Sequence, residues 1–261
     1  MSIKDSIKKV NQVLAPSLAI KVENVSKWFF LDKDNHNTFK SRFQNFFKKN
    51  ESQKTKFIAL DDINFEVTKG DFFGIIGRNG SGKSTLLKMI AQIYTPNIGK
   101  ILSDGKIIPF LELGVGFNPE LTGQENVYLN GTILGLTAAE ISSRYDKIWD
   151  FAELREFEDM QIKHYSSGMM VRLAFAIAME AKGDIYIMDE VLAVGDAKFQ
   201  EKCTSKLEEK ISERSTIIFV SHDLVSIAKY CNKVLYIKDH KVAAVGEPNS
   251  VISMYQNDLI N

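Results

Sequence analysis

The stretch Gly77-Arg78-Asn79-Gly80-Ser81-Gly82-Lys83-Ser84-Thr85 fits the phosphate-binding pattern G-x-x-x-x-G-K-[ST]. Its glycines let the backbone wrap closely around a phosphate, because no Cβ atom stands in the way. The pattern predicts a nucleotide site in which all of these residues contact the ligand. Lys83 would reach the β- and γ-phosphates, and the Ser84 hydroxyl would ligate Mg²⁺.

The residues on either side of this loop supply the structural context that the pattern requires. The apolar run 71–76 precedes the loop and predicts a buried strand. Residues 83–91 follow with helical spacing, which places Leu86, Leu87 and Ile90 on one face. A helix that begins here would direct its free N–H groups and its dipole toward the phosphates.

Size and composition describe an ordinary globular protein. The chain has 261 residues, of which 44% are apolar and 25% are charged. Its 33 basic residues balance its 33 acidic ones, so the charge pattern of a nucleic-acid-binding protein is absent and no nucleic-acid partner is expected. The sequence has no apolar run of 18 residues and no signal peptide, which predicts a cytosolic protein. Cys203 and Cys231 are expected to be buried or idle thiols rather than a disulfide or a metal site.

The order of apolar patterns along the chain predicts an α/β fold. From residue 184 onward strands alternate with helices, which indicates a parallel sheet with crossovers. The D-G pair Asp104-Gly105 predicts a hairpin within 100–108. Residues 120–170 have helical periodicity, with a capped helix start at 122–125. Strands are predicted over 19–23, 63–67, 184–188, 216–220 and 234–237, helices over about 198–211 and 223–231, and a hairpin over 234–245 before a final helix.

An aromatic and basic segment separates the first two strands, over roughly 31–56. Seven of its residues are Lys or Arg and three are acidic, and its four phenylalanines are spaced for one side of a helix. Packing against its own domain is one interpretation, and docking on a partner or on a membrane surface is the other. The residues concerned are Phe39, Phe43, Phe46, Phe47, Lys40, Arg42, Lys48 and Lys49.

Two adjacent carboxylates, Asp189 and Glu190, end the apolar strand that begins near residue 185. Acidic residues often follow buried strands, so the pair alone is a weak signal. Together with an upstream phosphate loop it is a strong one, because Asp189 can hold Mg²⁺ and Glu190 can polarise an attacking water. The combination predicts ATP hydrolysis.

Four further motifs follow in the order typical of one family. They are Val25-Ser26-Lys27-Trp28-Phe29, Tyr165-Ser166-Ser167-Gly168-Met169, Ala193-Val194-Gly195-Asp196 and Val220-Ser221-His222-Asp223. With the loop and the carboxylate pair, they resemble the ATP-binding subunit of an ABC transporter from about residue 19 to 257. The second motif resembles the family's signature loop, usually LSGGQ, with Ser167 in place of Gly and Met169 in place of Gln.

The resemblance implies a fold class and a division of the chain. The fold would be a P-loop NTPase of the ABC ATPase type, with a RecA-like core, an antiparallel β subdomain and an inserted α-helical subdomain. Residues 1–18 would form an N-terminal tail and 19–261 the ATPase domain. Its core would comprise 19–117 and 171–261, and its helical subdomain would cover about 118–170.

The resemblance also assigns roles to single residues. Phe29 would stack on adenine, Glu190 would be the base or water-positioning group, and His222 would hold the γ-phosphate side. In a homodimer with two sandwiched ATP molecules, the signature loop of one protomer would act on the ATP of the other, through Ser166, Ser167 and Gly168. Mg²⁺ would be held by Ser84, Asp189 and Asn118, the last at the position of the family's glutamine.

A finer resemblance points to the subunits that export O-antigen, capsule or teichoic acid. It rests on residues 111–126, on the signature loop and on 189–196. The implied partners are a separate multi-span membrane subunit and a lipid-linked polysaccharide, with the chain peripheral to the cytoplasmic side of the inner membrane. Some family members append a sugar-recognising domain, and none is expected after Asn261, so the membrane subunit would select the polymer.

Two other interpretations belong to different classes. A soluble ABC ATPase that acts on ribosomes or DNA usually has two ATPase units or a long coiled-coil insertion, and this sequence has neither. A transporter ATPase for a drug or a lipid is the other alternative, and the segment 111–121 argues against it by resemblance.

Overall fold

A computed structural model of the chain describes residues 17–32, 54–111, 114–189 and 195–260. The strands are Leu18–Asp32 (β1), Lys54–Thr68 (β2), Phe72–Ile76 (β3), Ile98–Ser103 (β4), Ile107–Phe110 (β5), Ile185–Asp189 (β6), Thr216–Val220 (β7), Lys233–Lys238 (β8) and Lys241–Gly246 (β9). The helices are Lys83–Ile90 (α1), Gly123–Ile133 (α2), Ala138–Ala152 (α3), Ser167–Glu180 (α4), Ala197–Ser212 (α5), Leu224–Tyr230 (α6) and Pro248–Ile260 (α7).

A six-stranded sheet forms the centre of the molecule, in the order β5-β6-β7-β3-β8-β9. Its first five strands are parallel, and β9 pairs with β8 as an antiparallel edge. The parallel sheet with helical crossovers that the sequence predicts is therefore confirmed. The central strands β3 and β7 are buried on both faces, which is why their sequences are continuous apolar runs rather than alternating ones.

Side chains alternate in direction along these strands, and this alternation divides the hydrophobic core into two clusters. In β3, the side chains of Phe72 and Ile76 join one cluster, together with residues of α2–α7. Phe73 and Ile75 join the other, which is completed by α1 and by β1 and β2. Successive strand residues point to opposite faces, so one strand serves both layers. Cys203 and Cys231 are buried free thiols, as expected.

A separate three-stranded antiparallel sheet, β2-β1-β4, covers the second face. The predicted hairpin at Asp104-Gly105 is wrong, because β4 pairs with β1 whereas β5 pairs with β6 in the other sheet. Gly105 has φ +128°, and a Cβ there would lie 2.5 Å from that of Asp184. The Asp184 carboxylate accepts the Lys106 N–H at 2.7 Å. This close approach fixes the point at which the chain passes from one sheet to the other. The sequence had suggested a turn between two strands of the same sheet.

The first two strands are longer than predicted and reach into the aromatic and basic segment. β1 extends to Asp32 and β2 begins at Lys54, with Asp32 opposite Lys54 in register. The remainder of the segment, 33–53, lies outside the described residues, together with its four phenylalanines. Neither interpretation of that segment is tested, and both stay predictions.

Two helices, α2 and α3, lie within 120–170, where the sequence predicts helical structure, and α4 begins near the end of that region, at Ser167. The capped start is confirmed, because the Thr122 hydroxyl accepts the Glu125 N–H and the Glu125 carboxylate accepts the Thr122 N–H. α3 begins with the same arrangement, a capping box, formed by Thr137 and Glu140. The division of the chain into core and helical subdomain remains a prediction. Within the described ranges, every helix is too short or too polar to cross a membrane.

Candidate functional site

Three parts of the predicted site follow strands that end at the carboxyl edge of the parallel sheet. The phosphate loop follows β3, Asp189 ends β6, and His222 lies two residues beyond β7. Because β7 lies between β6 and β3, His222 follows the strand that separates the loop from Asp189. This edge, where parallel strands end, is the usual ligand site of an open α/β sheet.

The phosphate loop needs glycine because of its contact with β2. Gly82 has φ +106°, and a Cβ there would lie 2.4 Å from the Ala59 carbonyl oxygen and 2.6 Å from the Leu60 side chain. Only glycine adopts this backbone conformation without strain and also leaves that space free. Gly82 then directs the chain into α1, whose buried face comprises Leu86, Leu87, Met89 and Ile90. The predicted strand, loop and helix are therefore confirmed.

Lys83 extends back over the loop. Its ammonium donates to the carbonyl oxygens of Gly77 at 2.7 Å and Arg78 at 3.1 Å. Lys83 is one of the residues that line a cavity of about 340 Å³. The cavity is lined by Phe57, Ala59, Asn79, Gly80, Gly82, Lys83, Ser84, Thr85 and Asp189.

Ser84 and Asp189 meet across this cavity. The Ser84 hydroxyl is 3.4 Å from an oxygen of the Asp189 carboxylate. A hydroxyl and a carboxylate are hard oxygen ligands, and Mg²⁺ is usually held by one or two such protein groups together with phosphate and water. The residues present therefore fit a magnesium ion. Within the described residues, no group of three or more His, Cys, Asp or Glu forms an all-protein metal site.

Two predicted catalytic residues differ in what the structure describes. Glu190, together with 191–194, lies outside the described residues, so its role stays a prediction. His222 is exposed, in the short loop before α6. The next residue, Asp223, caps α6 by accepting the Val225 and Ser226 N–H groups. The Ser226 hydroxyl, followed by those N–H groups and nearby His222, lowers the pKa of Asp223.

Asn118 and Phe29 lie in well-defined surroundings outside the cavity lining. The Asn118 amide oxygen accepts the Glu120 N–H at 3.0 Å, and its backbone N–H donates to Asn126. Phe29 packs edge-on against Tyr94, with ring centroids 5.7 Å apart, and the Lys27 ammonium lies 5.1 Å from its centroid. The predicted metal and adenine roles of these two residues stay predictions.

Residues 166–168, which resemble the family's signature loop, lie at the start of α4. The Ser166 hydroxyl accepts the Met169 N–H at 3.2 Å, which caps the helix. Ser166, Ser167 and Gly168 are exposed. Among the described residues, a Cβ at Gly168 would meet only the Ser166 hydroxyl oxygen, at 3.8 Å. Packing within the part of the chain that the structure describes therefore gives no reason for glycine at this position.

An ionic cluster ties α4 to two other elements, and sequence reasoning missed it. Arg172 pairs with Asp196, at the start of α5, at 2.5 Å and with Glu153, at the end of α3, at 3.6 Å. The Phe199 N–H, followed by Arg172, lowers the pKa of Asp196. These residues are far apart in sequence, so no local spacing could have indicated the contact. Phe57, which lines the cavity from β2, was missed for the same reason.

Residues 60–193 match the family model described as ABC transporter. The chain is 44% identical over 201 residues to the O-antigen export system ATP-binding protein RfbB of Klebsiella pneumoniae, which is 77% of this chain and 82% of that protein. It is also 44% identical over 223 residues to RfbB of Myxococcus xanthus, which is 85% of this chain but 51% of that protein. Identity to the teichoic acids export ATP-binding protein TagH of Shouchella clausii is 38% over 237 residues, which is 91% of this chain and 64% of that protein.

Solved structures give the same fold. The dimeric post-hydrolysis state of the ATP-binding cassette MJ0796, bound to ADP and Pi, superposes with a TM-score of 0.67 at 25% identity. The match covers 88% of this chain and 98% of that one. The ATP binding subunit of an ABC transporter gives a TM-score of 0.70 at 22% identity over 91% of this chain and 93% of that one, which shows the fold alone.

Proposed function

Because the chain belongs to the ABC transporter family, we propose that it is the ATP-hydrolysing subunit of a transporter that exports a cell-surface polysaccharide. The observation that carries the proposal is the 44% identity to an O-antigen export subunit across 82% of that protein's length. The identity of 38% to a teichoic acids export subunit supports the same class of cargo. The cargo would be a lipid-linked polysaccharide of the O-antigen, capsule or teichoic acid type.

ATP with Mg²⁺ is the proposed ligand of the cavity beside the phosphate loop. The loop N–H groups and the Lys83 ammonium would hold the phosphates, because N–H donors and a fixed positive charge match their oxygens. Ser84 and Asp189 would hold Mg²⁺, with Asn118 as a third contact by resemblance to the family. When bound, Mg²⁺ neutralises charge on the phosphates. Phe29 would contact the adenine.

Hydrolysis is proposed to depend on Glu190 and His222. Phosphoryl transfer requires a positioned water and stabilised charge more than it requires covalent chemistry from the protein. Glu190 would orient the water and accept its proton. His222, at the end of the strand between the loop and Asp189, would hold the γ-phosphate side.

The signature loop is proposed to act on the ATP of a second copy of the chain. Three features support this arrangement. Ser166 accepts a hydrogen bond from Met169, which leaves its O–H free to donate to a phosphate. α4 has 14 residues, and its N-terminus favours an anion. Gly168 leaves room for close approach from outside the protomer.

The protein would lie at the cytoplasmic side of the cell membrane, as a peripheral homodimer attached to a separate multi-span membrane subunit. The segment over roughly 31–56, basic and rich in phenylalanine by sequence, keeps its two interpretations, which are packing on its own domain and docking on a membrane or a partner. Nucleic acid is not a proposed ligand, since the chain carries no excess of positive charge.

Deletion of the gene in the source cell, followed by complementation, tests the proposed function. We expect the surface polymer to disappear and the lipid-linked polymer to accumulate inside, as measured by polymer extraction from the surface and from the cytoplasm. The parental gene should restore export, and Lys83→Ala, produced at the same level, should not. If Lys83→Ala restores export fully, ATP-driven export by this chain is ruled out.

A further inference from the structure

Four side chains share one face near the end of the β1–β2 hairpin. Trp28 lies directly opposite Ile58 in the antiparallel register. Phe30, two residues after Trp28, lies opposite Lys56. Opposite residues point to the same side of a sheet, and so do residues two apart along a strand. The Lys56 ammonium accordingly lies over the Trp28 ring, 3.9 Å from its centroid. We call this set, Trp28, Phe30, Lys56 and Ile58, the Trp28 face.

The Trp28 face is a patch of adjoining apolar side chains that are in contact with water. Phe30 is 62% exposed and Ile58 is 42% exposed, and Trp28 is half-buried. Neither of the two core clusters of the described residues includes any of the three. Single exposed apolar residues are ordinary, but large ones that adjoin one another mark a surface that packs against another group.

The opposite face of the hairpin finds its contacts among the described residues. Phe29 packs against Tyr94, and Phe57 packs against His240 and lines the cavity beside the phosphate loop. The group that covers the Trp28 face therefore has to come from outside the described residues.

One segment of the chain has the length and the position to cover this face. β1 ends at Asp32 and β2 begins at Lys54, and these two residues are register partners, so residues 33–53 leave and re-enter the hairpin at the same end. Trp28 and Ile58 each lie four residues from that end, a distance of roughly 13 Å. A helix over 39–47 would be about 13 Å long. The six residues on either side of it can each span up to about 20 Å.

The composition of this segment suits the Trp28 face. Its phenylalanines have the spacing of one side of a helix, and they would remove large apolar areas from water if they packed there. Its basic residues have the spacing of the sides and back of the same helix, where they would stay in water. The phenylalanines are Phe39, Phe43, Phe46 and Phe47, and the basic residues are Lys40, Arg42, Lys48 and Lys49.

The connection within one chain favours this segment over a separate partner. Both ends of 33–53 are attached beside the face, so their contact is intramolecular. Such a contact forms without the loss of translational and rotational freedom that the binding of a separate molecule entails.

We propose that residues 33–53 fold back on the Trp28 face of their own chain, with the four phenylalanines against Trp28, Phe30 and Ile58. The proposal selects one of the two interpretations of this segment and assigns the surface on which it packs. It goes beyond the proposed function, because the contact requires neither nucleotide nor export.

Tryptophan fluorescence tests the proposal. The chain has two tryptophans, and Trp149 is fully buried, so Trp28 is the accessible reporter. Replacement of the four phenylalanines by serine should shift the Trp28 emission to longer wavelength and increase its quenching by acrylamide. Replacement of the four basic residues by glutamine is the matched control and should leave both signals at the parental values. A Trp28→Phe chain supplies the signal of Trp149 for subtraction.

Disulfide cross-linking tests the same contact without removing the apolar segment. A chain with Phe43→Cys and Ile58→Cys should form a disulfide within the monomer on mild oxidation. Phe43→Cys with Phe57→Cys is the control, because Phe57 is the neighbouring residue on the opposite face, and it should form far less. The native thiols Cys203 and Cys231 should not interfere, since both are buried and burial raises the pKa of each to about 12.

The two measurements separate this proposal from the other occupants of the face. Equal acrylamide quenching of Trp28 in the parental chain and in the four-serine variant would show that the segment does not cover it. Protection of Trp28 only at high protein concentration would assign the face to a second copy, and protection only with vesicles of anionic phospholipid would assign it to a membrane. Each of these results overturns the proposal, and so does an equal yield of the two disulfides. If the four-serine variant does not fold, the disulfide yields alone decide.

Discussion

Lys83 supplies a fixed positive charge where the proposed phosphates would lie, and the carbonyls of Gly77 and Arg78 already orient it. We predict that Lys83→Ala weakens ATP binding by roughly ten- to a hundredfold, because hydrogen bonds to charged groups contribute about 1.5–3 kcal/mol each. Calorimetry measures this affinity. Lys100→Ala on β4, a surface lysine outside the cavity lining, is the control and should bind ATP normally. Unchanged affinity in Lys83→Ala would exclude the loop as the phosphate site.

Single residues of the site were predictable where the signal was local. The phosphate loop and its flanking strand and helix could be predicted because glycine spacing and apolar runs act over a few residues. Phe57 could not, since its place in the cavity depends on how a distant strand meets Gly82. Arg172 could not either, because its contact with Asp196 spans 24 residues. The pattern around each of these residues resembles that of any strand or helix surface.

At the scale of elements, Asn126 fixes the turn that leads into α2. Its buried amide donates to the carbonyls of Asn118, Leu121 and Thr122, and its oxygen accepts the Asn118 N–H. Asn126→Ala would leave these backbone groups without that partner. Each buried unsatisfied group costs about 1–3 kcal/mol, so we predict a loss of roughly 2 kcal/mol or more in the free energy of unfolding.

Urea denaturation measures this loss, and Asn130→Ala is the matched control. Asn130 lies one turn further along α2 and is 7% exposed, and it is Asn126 rather than Asn130 whose amide donates to the three carbonyls of the turn. Asn130→Ala should lower the free energy of unfolding distinctly less than Asn126→Ala does. Equal losses at the two positions would show that Asn126 contributes through burial alone.

The type of helices and strands could be predicted from the sequence more readily than which strands pair with one another. The strand at β7 was predicted with the observed bounds, and helices α5 and α6 to within one residue at each end. The sequence analysis wrongly predicted a hairpin at Asp104-Gly105, because the Asp-Gly dipeptide also occurs in tight turns that do not join two paired strands. Whether the chain turns within a sheet or crosses to another is decided by distant partners, here Ala19 and Asp184.

At the scale of the whole molecule, Asp71 joins the end of β2 to the start of β8. Its carboxylate accepts the Thr68 N–H at 2.9 Å, the Asn232 amide at 2.9 Å and the Lys233 ammonium at 3.2 Å. Burial alone would raise the pKa of Asp71, but these three donors outweigh burial and lower its pKa below the ordinary value. The ionised carboxylate is therefore favoured by the fold.

The sign of this shift predicts a loss of stability in acid. A carboxyl whose pKa is lower in the folded state stabilises the fold above its unfolded pKa of about 4, and this contribution disappears as the pH falls through the folded-state value. Asp71→Asn should lower the free energy of unfolding at pH 7 by about 1 kcal/mol or more, and the difference from the parental chain should shrink below about pH 4. Denaturation midpoints of the two chains, measured at a series of pH values, give this difference in the free energy of unfolding. Asp104→Asn, which removes an exposed ion pair, should change little at either pH.

Dimerisation around ATP is the most consequential prediction for the whole molecule. Glu190→Gln should bind ATP, lose most turnover and accumulate as a dimer, because the closed state forms and hydrolysis no longer reopens it. In that background, Gly168→Asp should remain a monomer. A carboxylate at the start of α4 would repel the partner's phosphates, although the helix dipole would favour it within the folded protomer. The melting temperature of Gly168→Asp without nucleotide should therefore equal or exceed the parental value, and light scattering with ATP should report a monomer. If the double variant dimerises as fully as Glu190→Gln alone, the signature loop does not lie on the partner's ATP.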